Sequence, residues 1–196
     1  KGIELTNKNP LLLKAYGGFG AIETPAFNPG IVHFLKEGGI FAFANIRGGG
    51  DNGKDWAIQG RGENKQNSFD DFIAAAEFLI ENHYTNPEKL AITGASNGGL
   101  VVGAAMIQRP ELFKAAIPLV APLDMIRFEK FTIGHFHTDE YGSVSDSTGF
   151  NNLLSYSPLH SIKEDVNYPA TMIMTSDNDD RVPPFHSYKF AAKLQN

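Results

Sequence analysis

Short apolar runs alternate with amphipathic stretches along almost the whole chain. No other feature of the sequence limits its fold as much. Leu11–Tyr16, Ile40–Ile46, Leu90–Thr93, Ala115–Val120 and Ala170–Thr175 read as strands, the second bounded by glycines on both sides. Asn28–Lys36, Ser68–Asn82, Gly98–Gln108 and Pro184–Leu194 read as helices. Pro29 sits near the first turn of its helix, where a missing N–H costs nothing. Ser68–Asn82 has the clearest helical signature. Ser68 can cap it, Asp70 and Asp71 sit in the first turn, and Phe69, Phe72, Ala76, Leu79 and Ile80 fall near one face. Gly48 to Gln66 reads as a long glycine-rich loop, and Asp124 to Pro158 as irregular or weakly helical. Strand–helix alternation of this kind specifies the α/β class, a mostly parallel sheet with helices on both faces. Such sheets bind ligands at the carboxyl ends of their strands. Chemistry is therefore expected just after Tyr16, Ile46, Thr93, Val120 and Thr175.

One of those positions carries a motif. After Leu90–Thr93 comes Gly94-Ala95-Ser96-Asn97-Gly98-Gly99, then a helix. This is G-x-S-x-G between a strand and a helix, the context of a nucleophile elbow. A sharp turn lifts the Ser96 hydroxyl above the sheet. The residues two before and two after it pass close to neighbouring backbone, so both must be small. The following helix aims its first N–H groups at the site. The N–H of Asn97 can bond the negative charge that forms on an attacked carbonyl. The plain alternative is a glycine-rich turn that happens to hold a serine; the strand before and the helix after weigh against it.

A serine nucleophile needs a base, normally histidine, held by a carboxylate. In this fold class the chain order is serine, acid, histidine. Asp177, Asp179 and Asp180 all follow the strand Ala170–Thr175, and the spacing alone does not choose among them. Only His186 follows the acids, inside the final helix, where the order calls for a loop beyond it. His33, His83, His135, His137 and His160 fall in the wrong order. The catalytic histidine is expected beyond Asn196. The opening at Lys1 and the close inside a helical pattern lead to the same expectation of one partial domain, residues 1–196.

Composition removes other classes. With 17 Lys and Arg against 22 Asp and Glu, the formal charge is −5, whereas nucleic-acid binding calls for a basic patch or stripe. There is no cysteine, so disulfides, cysteine metal sites and a cysteine nucleophile are excluded together. Cytoplasm and periplasm both accommodate such a chain, and the cytoplasm is the setting expected. The most apolar stretch, Leu100 to Ile107, is far short of the roughly 18 residues a membrane span needs. No signal peptide and no membrane partner is expected.

Further stretches carry a resemblance. Tyr16-Gly17-Gly18-Phe19, Ala44-Asn45-Ile46-Arg47-Gly48-Gly49-Gly50, Asn64 through Phe72, Ser96-Asn97-Gly98-Gly99-Leu100, Gln108-Arg109-Pro110, Tyr156-Ser157-Pro158 and Asp179-Asp180-Arg181-Val182 resemble the catalytic domain of the prolyl oligopeptidase family. The resemblance runs through nearly the whole chain. It implies an α/β-hydrolase fold and a serine peptidase that cleaves short peptides after proline, with no metal or organic cofactor. By position, Ser96 is implied as nucleophile, Asp179 as triad acid and Tyr16 as the second oxyanion donor beside Asn97. Arg181 is implied to bind a substrate carbonyl, a task that suits an always-charged fork of donors. Phe19, Tyr141 and Val182 are implied to line an apolar proline pocket. His137 stands where the family usually stacks a tryptophan on the proline ring. It offers less stacking area and a polar edge, so a looser proline preference is expected. The β-propeller that the family attaches is absent from these residues.

Two other patterns read as decoys. Gly48 to Gly53 fits G-x-G-x-x-G, and extended through Lys54 it nearly fits a P-loop. A P-loop needs Ser or Thr after the lysine; here Asp55 follows, and Asp51 lies inside, so both would repel phosphate. The dinucleotide motif must open directly into a helix, and Trp56 to Glu63 shows no helical period. His135-Phe136-His137-Thr138-Asp139 has a spacing seen at some metal sites, but no further histidine follows nearby, and no metal is expected. Arg47 and Lys65 read as structural pairs or solvated groups. Two rival functions remain: a related peptidase or esterase of the same fold with another specificity, and a non-catalytic interaction domain.

Overall fold

The computed structural model describes residues 4–196. Five parallel strands form one sheet in the order β2-β1-β3-β4-β5. They are β1 (Leu11–Ala15), β2 (Ile40–Ala44), β3 (Leu90–Ala95), β4 (Ala115–Leu119) and β5 (Ala170–Thr171). Register places Ala42, Leu13, Ile92, Ala116 and Thr171 in one row across the sheet. Side chains alternate between the two faces of a strand. On one face Leu11, Leu13, Ala15, Leu90 and Ile92 are fully buried, while Leu12, Lys14, Ala91 and Thr93 on the other are half-buried. The buried face packs against α3 (Gln66–Glu81) and α4 (Asn97–Gln108) through Phe69, Phe72, Leu100, Val101 and Ala104. Helix α1 (Pro29–Lys36) lies on the opposite face, where Ile31 and Phe34 border a cavity shared with Leu12, Phe41 and Thr93. Helices therefore cover both faces, as the alternation in the sequence requires.

Helix α4 is buried along its length, from Asn97 to Ile107. A helix apolar on all sides belongs at the centre of a core, and this one sits between the sheet, α3 and the short α7 (Pro158–Ser161). Its entry explains the glycines of the motif. A Cβ on Gly94 would collide with the Gly98 carbonyl oxygen, and one on Gly98 would lie 2.5 Å from the Ala15 carbonyl oxygen. Backbone meets backbone at both places, and no side chain can move aside.

Several boundaries differ from the sequence reading, each for a local reason. The segment Gly48–Gln66 contains a short helix, α2 (Lys54–Ile58), started by Gly53 at φ 93 with Asp55 in the first turn, and a 3-10 turn at Gly62–Asn64. Ser68 is not a cap. Helix α3 begins at Gln66, and the buried Ser68 hydroxyl donates to the carbonyls of Arg47 (2.7 Å) and Gly60 (3.2 Å). Asp71 grips Arg47 instead of serving the helix end, accepting from its backbone N–H, Nε and Nη2. The stretch from Asp124 to Pro158 holds α5 (Thr138–Tyr141) and a ten-residue helix, α6 (Ser147–Tyr156), capped by Asp146 through the Gly149 N–H. The last strand is regular only over Ala170–Thr171. Beyond it single bonds continue, from Met172 N–H to Ala116 O and from Met174 N–H to Pro118 O. The final helix, α8, spans Phe185–Leu194.

The Gly98–Ala15 approach gives a direct test. Gly98→Ala is expected to destabilise the domain by about 3 kcal/mol or more, because overpacking against backbone cannot be relieved by a rotamer change. Urea unfolding checks it: the midpoint should fall sharply with the slope unchanged, and an unchanged midpoint would contradict the packing described.

Candidate active site

Ser96 follows β3 with φ 56 and ψ −120. A residue with a Cβ is rarely held there, and such strain costs on the order of 1–3 kcal/mol. Neighbouring bonds enforce it. The Ser96 N–H donates to Leu119 O at 2.9 Å, and the Leu100 N–H donates back to Ser96 O at 3.1 Å. The result is a half-buried serine at the mouth of α4, on the wall of a cavity of about 390 Å³.

Tyr16 follows β1 and lines the same cavity. Burial and the Glu140 carboxylate push its phenol above the usual tyrosine range, partly opposed by the Ser96 hydroxyl and the Arg181 guanidinium. The phenol therefore keeps its proton at neutral pH and remains a donor. Asn97 carries more than its backbone N–H. Its buried side chain donates through Nδ2 to Tyr16 O at 2.5 Å and accepts the Tyr141 hydroxyl at 3.1 Å. One amide thus links the serine turn, the tyrosine loop and the pocket wall. The motif points only to the Asn97 N–H and is silent on the side chain; the small residue Gly18, packed against Asn97, is the one signal in the sequence that hints at it.

The apolar side of the cavity is aromatic. Phe19 meets Tyr141 edge-on at 5.8 Å and His137 at 5.4 Å, and Phe128 meets Tyr141 at 5.3 Å. Val182 and Pro183 close the wall. Burial, then the Arg181 charge, pushes the His137 imidazole below its usual range, so it is neutral at pH 7 and can act as an uncharged wall. Arg181 lines the cavity, is exposed, and makes no ion pair among the described residues. All of Ser96, Tyr16, Phe19, His137, Tyr141, Arg181 and Val182 thus border one space.

Asp179 does not line that space, but it sits on the turn whose Arg181 and Val182 do. Its Oδ1 accepts from the N–H groups of Arg181 and Val182, both at 2.9 Å. The other two aspartates of the cluster do something else. Asp177 accepts the Tyr188 hydroxyl at 3.1 Å, and Asp180 is exposed with no such backbone grip among the described residues. Of the three, only Asp179 is held by backbone donors on the turn that carries Arg181.

No histidine hydrogen-bonds Ser96 or Asp179 among the described residues. His137 and His186 border the cavity. His186 is buried, and its Nδ1 accepts the Asp124 N–H at 3.2 Å. His160 pairs with the Ser157 hydroxyl at 2.8 Å and lies 4.0 Å from Asp124. The fully buried Asp124 carboxylate also takes Lys189 and Arg127. These groups form a structural cluster joining α8 to the loop after β4. The His135–Asp139 segment disperses: His135 stacks on Phe136 at 4.1 Å while His137 turns toward Phe19. Among the described residues no three His, Asp or Glu side chains converge as metal ligands, and no helix is long and apolar enough to cross a membrane. Lys65 is fully buried against Glu140 at 2.7 Å.

The parallel sheet and the strained serine turn at the end of its central strand define the class, an α/β-hydrolase fold. The profile of the prolyl oligopeptidase family matches residues 25–196. The chain belongs to that family. It is 50% identical over its whole length to a prolyl endopeptidase of Elizabethkingia miricola, covering 28% of that relative. A post-proline cleaving enzyme from Rickettsia typhi superposes over 100% of this chain and 28% of its own, with TM-score 0.96 and 42% identity. Prolyl oligopeptidase B from Galerina marginata, solved with a 35mer hydrolysis and macrocyclization substrate, superposes over 98% of this chain and 27% of its own, with TM-score 0.96 and 44% identity. The chain therefore spans little more than a quarter of the length of these relatives.

The His186 environment sets an acid limit on stability. Burial pushes this imidazole down to about 4, with the nearby Lys189 charge acting in the same sense against Asp124. The unfolded imidazole takes a proton near 6.5, so between pH 6.5 and 4 the unfolded chain binds more protons. Stability should fall by about 3 kcal/mol as pH drops through that window. His160, also depressed by burial, adds in the same direction. Burial alone would raise the Asp124 carboxylate, but Lys189, His160 and Arg127 hold it below the usual range, so its contribution is lost only at lower pH. His186→Gln keeps an acceptor for the Asp124 N–H and should flatten the profile between pH 6.5 and 4. An unchanged slope in denaturation midpoints across that range would refute the assignment.

Proposed function

We propose that the protein carrying these residues is a serine peptidase that hydrolyses short peptides after proline through an acyl-enzyme. One observation carries the reading: a strained Ser96 shares a cavity with a protonated Tyr16 on one side and an apolar aromatic wall on the other. Ser96 Oγ attacks the carbonyl carbon of the residue seated in that wall and loses its proton to a base. The carbonyl oxygen becomes an oxyanion, bonded by the Asn97 N–H and the Tyr16 hydroxyl. Its collapse expels the leaving amine, which takes the proton from the base. Water then attacks the acyl-enzyme and releases the acid. Arg181, free of any carboxylate among the described residues, is suited to hold a carbonyl of the substrate backbone. Phe19, Tyr141 and Val182 receive the proline ring.

Asp179 fits the acid of the relay. Two backbone donors fix its Oδ1 and leave Oδ2 free to receive an imidazole N–H. The imidazole itself we place outside residues 1–196, together with the propeller of the family. His186 has its Nδ1 occupied and its ring buried, and the other five histidines make no hydrogen bond with Ser96 or Asp179. Residues 1–196 alone should accordingly be inert.

Fluorophosphonate labelling tests the reading. The full-length chain should take one adduct, its Ser96→Ala variant none, and residues 1–196 alone none. A post-proline peptide should follow the same pattern of turnover. A folded full-length chain that takes no adduct would favour a binding domain that has kept the hydrolase fold.

His137 supports a second, looser specificity. Stacking of a full indole on the proline ring is worth about 0.5–1.5 kcal/mol, and a neutral imidazole supplies less area. His137→Trp should therefore raise the preference for proline over alanine at the cleaved bond by about three- to tenfold in kcat/KM. An unchanged ratio would remove His137 from the specificity pocket.

A further inference from the structure

Beneath the cavity lies an ion pair that the proposed mechanism does not use. Lys65 and Glu140 are both buried, with Nζ 2.7 Å from Oε1. Each also holds the loop that carries Tyr16. Lys65 Nζ donates to Gly17 O at 3.1 Å, and the Phe19 N–H donates to Glu140 Oε2 at 2.9 Å. Phe19 is held at φ 57, a conformation that needs such a restraint. The Lys65 ammonium also sits 5.4 Å from the centre of the Tyr141 ring, and Arg61 approaches Glu140 at 3.7 Å from the rim.

Packing alone does not account for this pair. Burying two charges is costly, and an apolar pair of the same volume is often as stable or more so. The charges do something an apolar pair could not: they grip one carbonyl and one N–H on either side of Gly18. They also solve an electrostatic problem. A lone carboxylate beside the oxyanion site would oppose the negative charge formed in the transition state, and in a dry site that opposition is large. Lys65 cancels it at contact distance. Glu140 in turn helps keep the Tyr16 phenol protonated.

We propose that Lys65 and Glu140 are positioning residues for the oxyanion site, clamping the Tyr16–Phe19 loop from both sides while presenting no net charge to the oxyanion. The inference rests on the peptidase reading above. It is tested in the full-length chain with Lys65→Met, Glu140→Gln and the double variant, using a post-proline peptide and rates normalised to titrated active sites. Lys65→Met leaves the carboxylate with only the half-exposed Arg61 at the rim and should lower kcat on the order of a hundredfold, comparable to losing an oxyanion donor, with KM nearly unchanged. Glu140→Gln should cost less, about tenfold, because it removes the opposing charge along with one grip. The double variant should recover part of the Lys65→Met loss. Affinity for a peptide aldehyde, whose hemiacetal oxygen occupies the oxyanion position, should fall in step with kcat.

A purely structural pair would lower the melting temperature and leave kcat and aldehyde affinity per active site untouched; that result would overturn the proposal. If Lys65→Met does not fold, Glu140→Gln and the double variant, which strand no carboxylate, separate the two roles by the same readouts. A wild-type chain that neither turns over the peptide nor takes the phosphonate would sink the peptidase reading and this inference with it. Normal wild-type turnover with unaffected variants would sink the inference alone.

Discussion

The contact between the start of α4 and the end of β1 governs the rest of the structure. Gly98 lies against the Ala15 carbonyl, and the neighbouring Asn97 amide bonds the Tyr16 carbonyl. Two parallel strands are thereby locked at their carboxyl ends, and the helix that follows the serine is driven into the core. Ser96 is strained because the chain must turn within the space this contact leaves. Tyr16 is brought beside Ser96 for the same reason. A looser contact would relax the serine turn and separate the two hydroxyl-bearing residues together.

Around that contact, two buried carboxylates are each surrounded by cations. Lys65 and Glu140 support the loop after β1, and Asp124 gathers Lys189, Arg127 and His160 behind the loop after β4. Each group fixes an irregular segment that has no ladder of backbone bonds to hold it. Apolar packing sets where sheet and helices lie, since it is broad and nondirectional. Directional bonds set the loops, where a shift of an ångström would change the chemistry.

The sheet and most helices are legible in the sequence because they follow from periodicity, which one chain carries in full. Ser96 is legible because its turn demands small residues at fixed spacing. The helix over Ser147–Tyr156 is hidden because its apolar face is short and its start rests on a single Asp146 cap. Ser68 looks like a cap but is none, because its hydroxyl serves the Arg47 and Gly60 carbonyls, partners brought near only by the fold. The same holds for the Asn97 side chain and for the joining of Lys65 with Glu140, residues far apart in sequence. Choosing Asp179 from three aspartates on the residues alone needs the geometry of the turn, since Asp177 and Asp180 have the same chemistry and differ only in what faces them.

That turn has a consequence for anyone wishing to retune the protein. Asp179 is held by the N–H groups of Arg181 and Val182, and those two side chains border the space where a substrate would lie. In the proposed reading, activation and recognition share the same short stretch of backbone. A substrate that pulled on Arg181 would then pull on the carboxylate as well, through the N–H groups that hold it. On that reading the turn would be a mechanical coupling, in which selectivity could not be altered independently of rate.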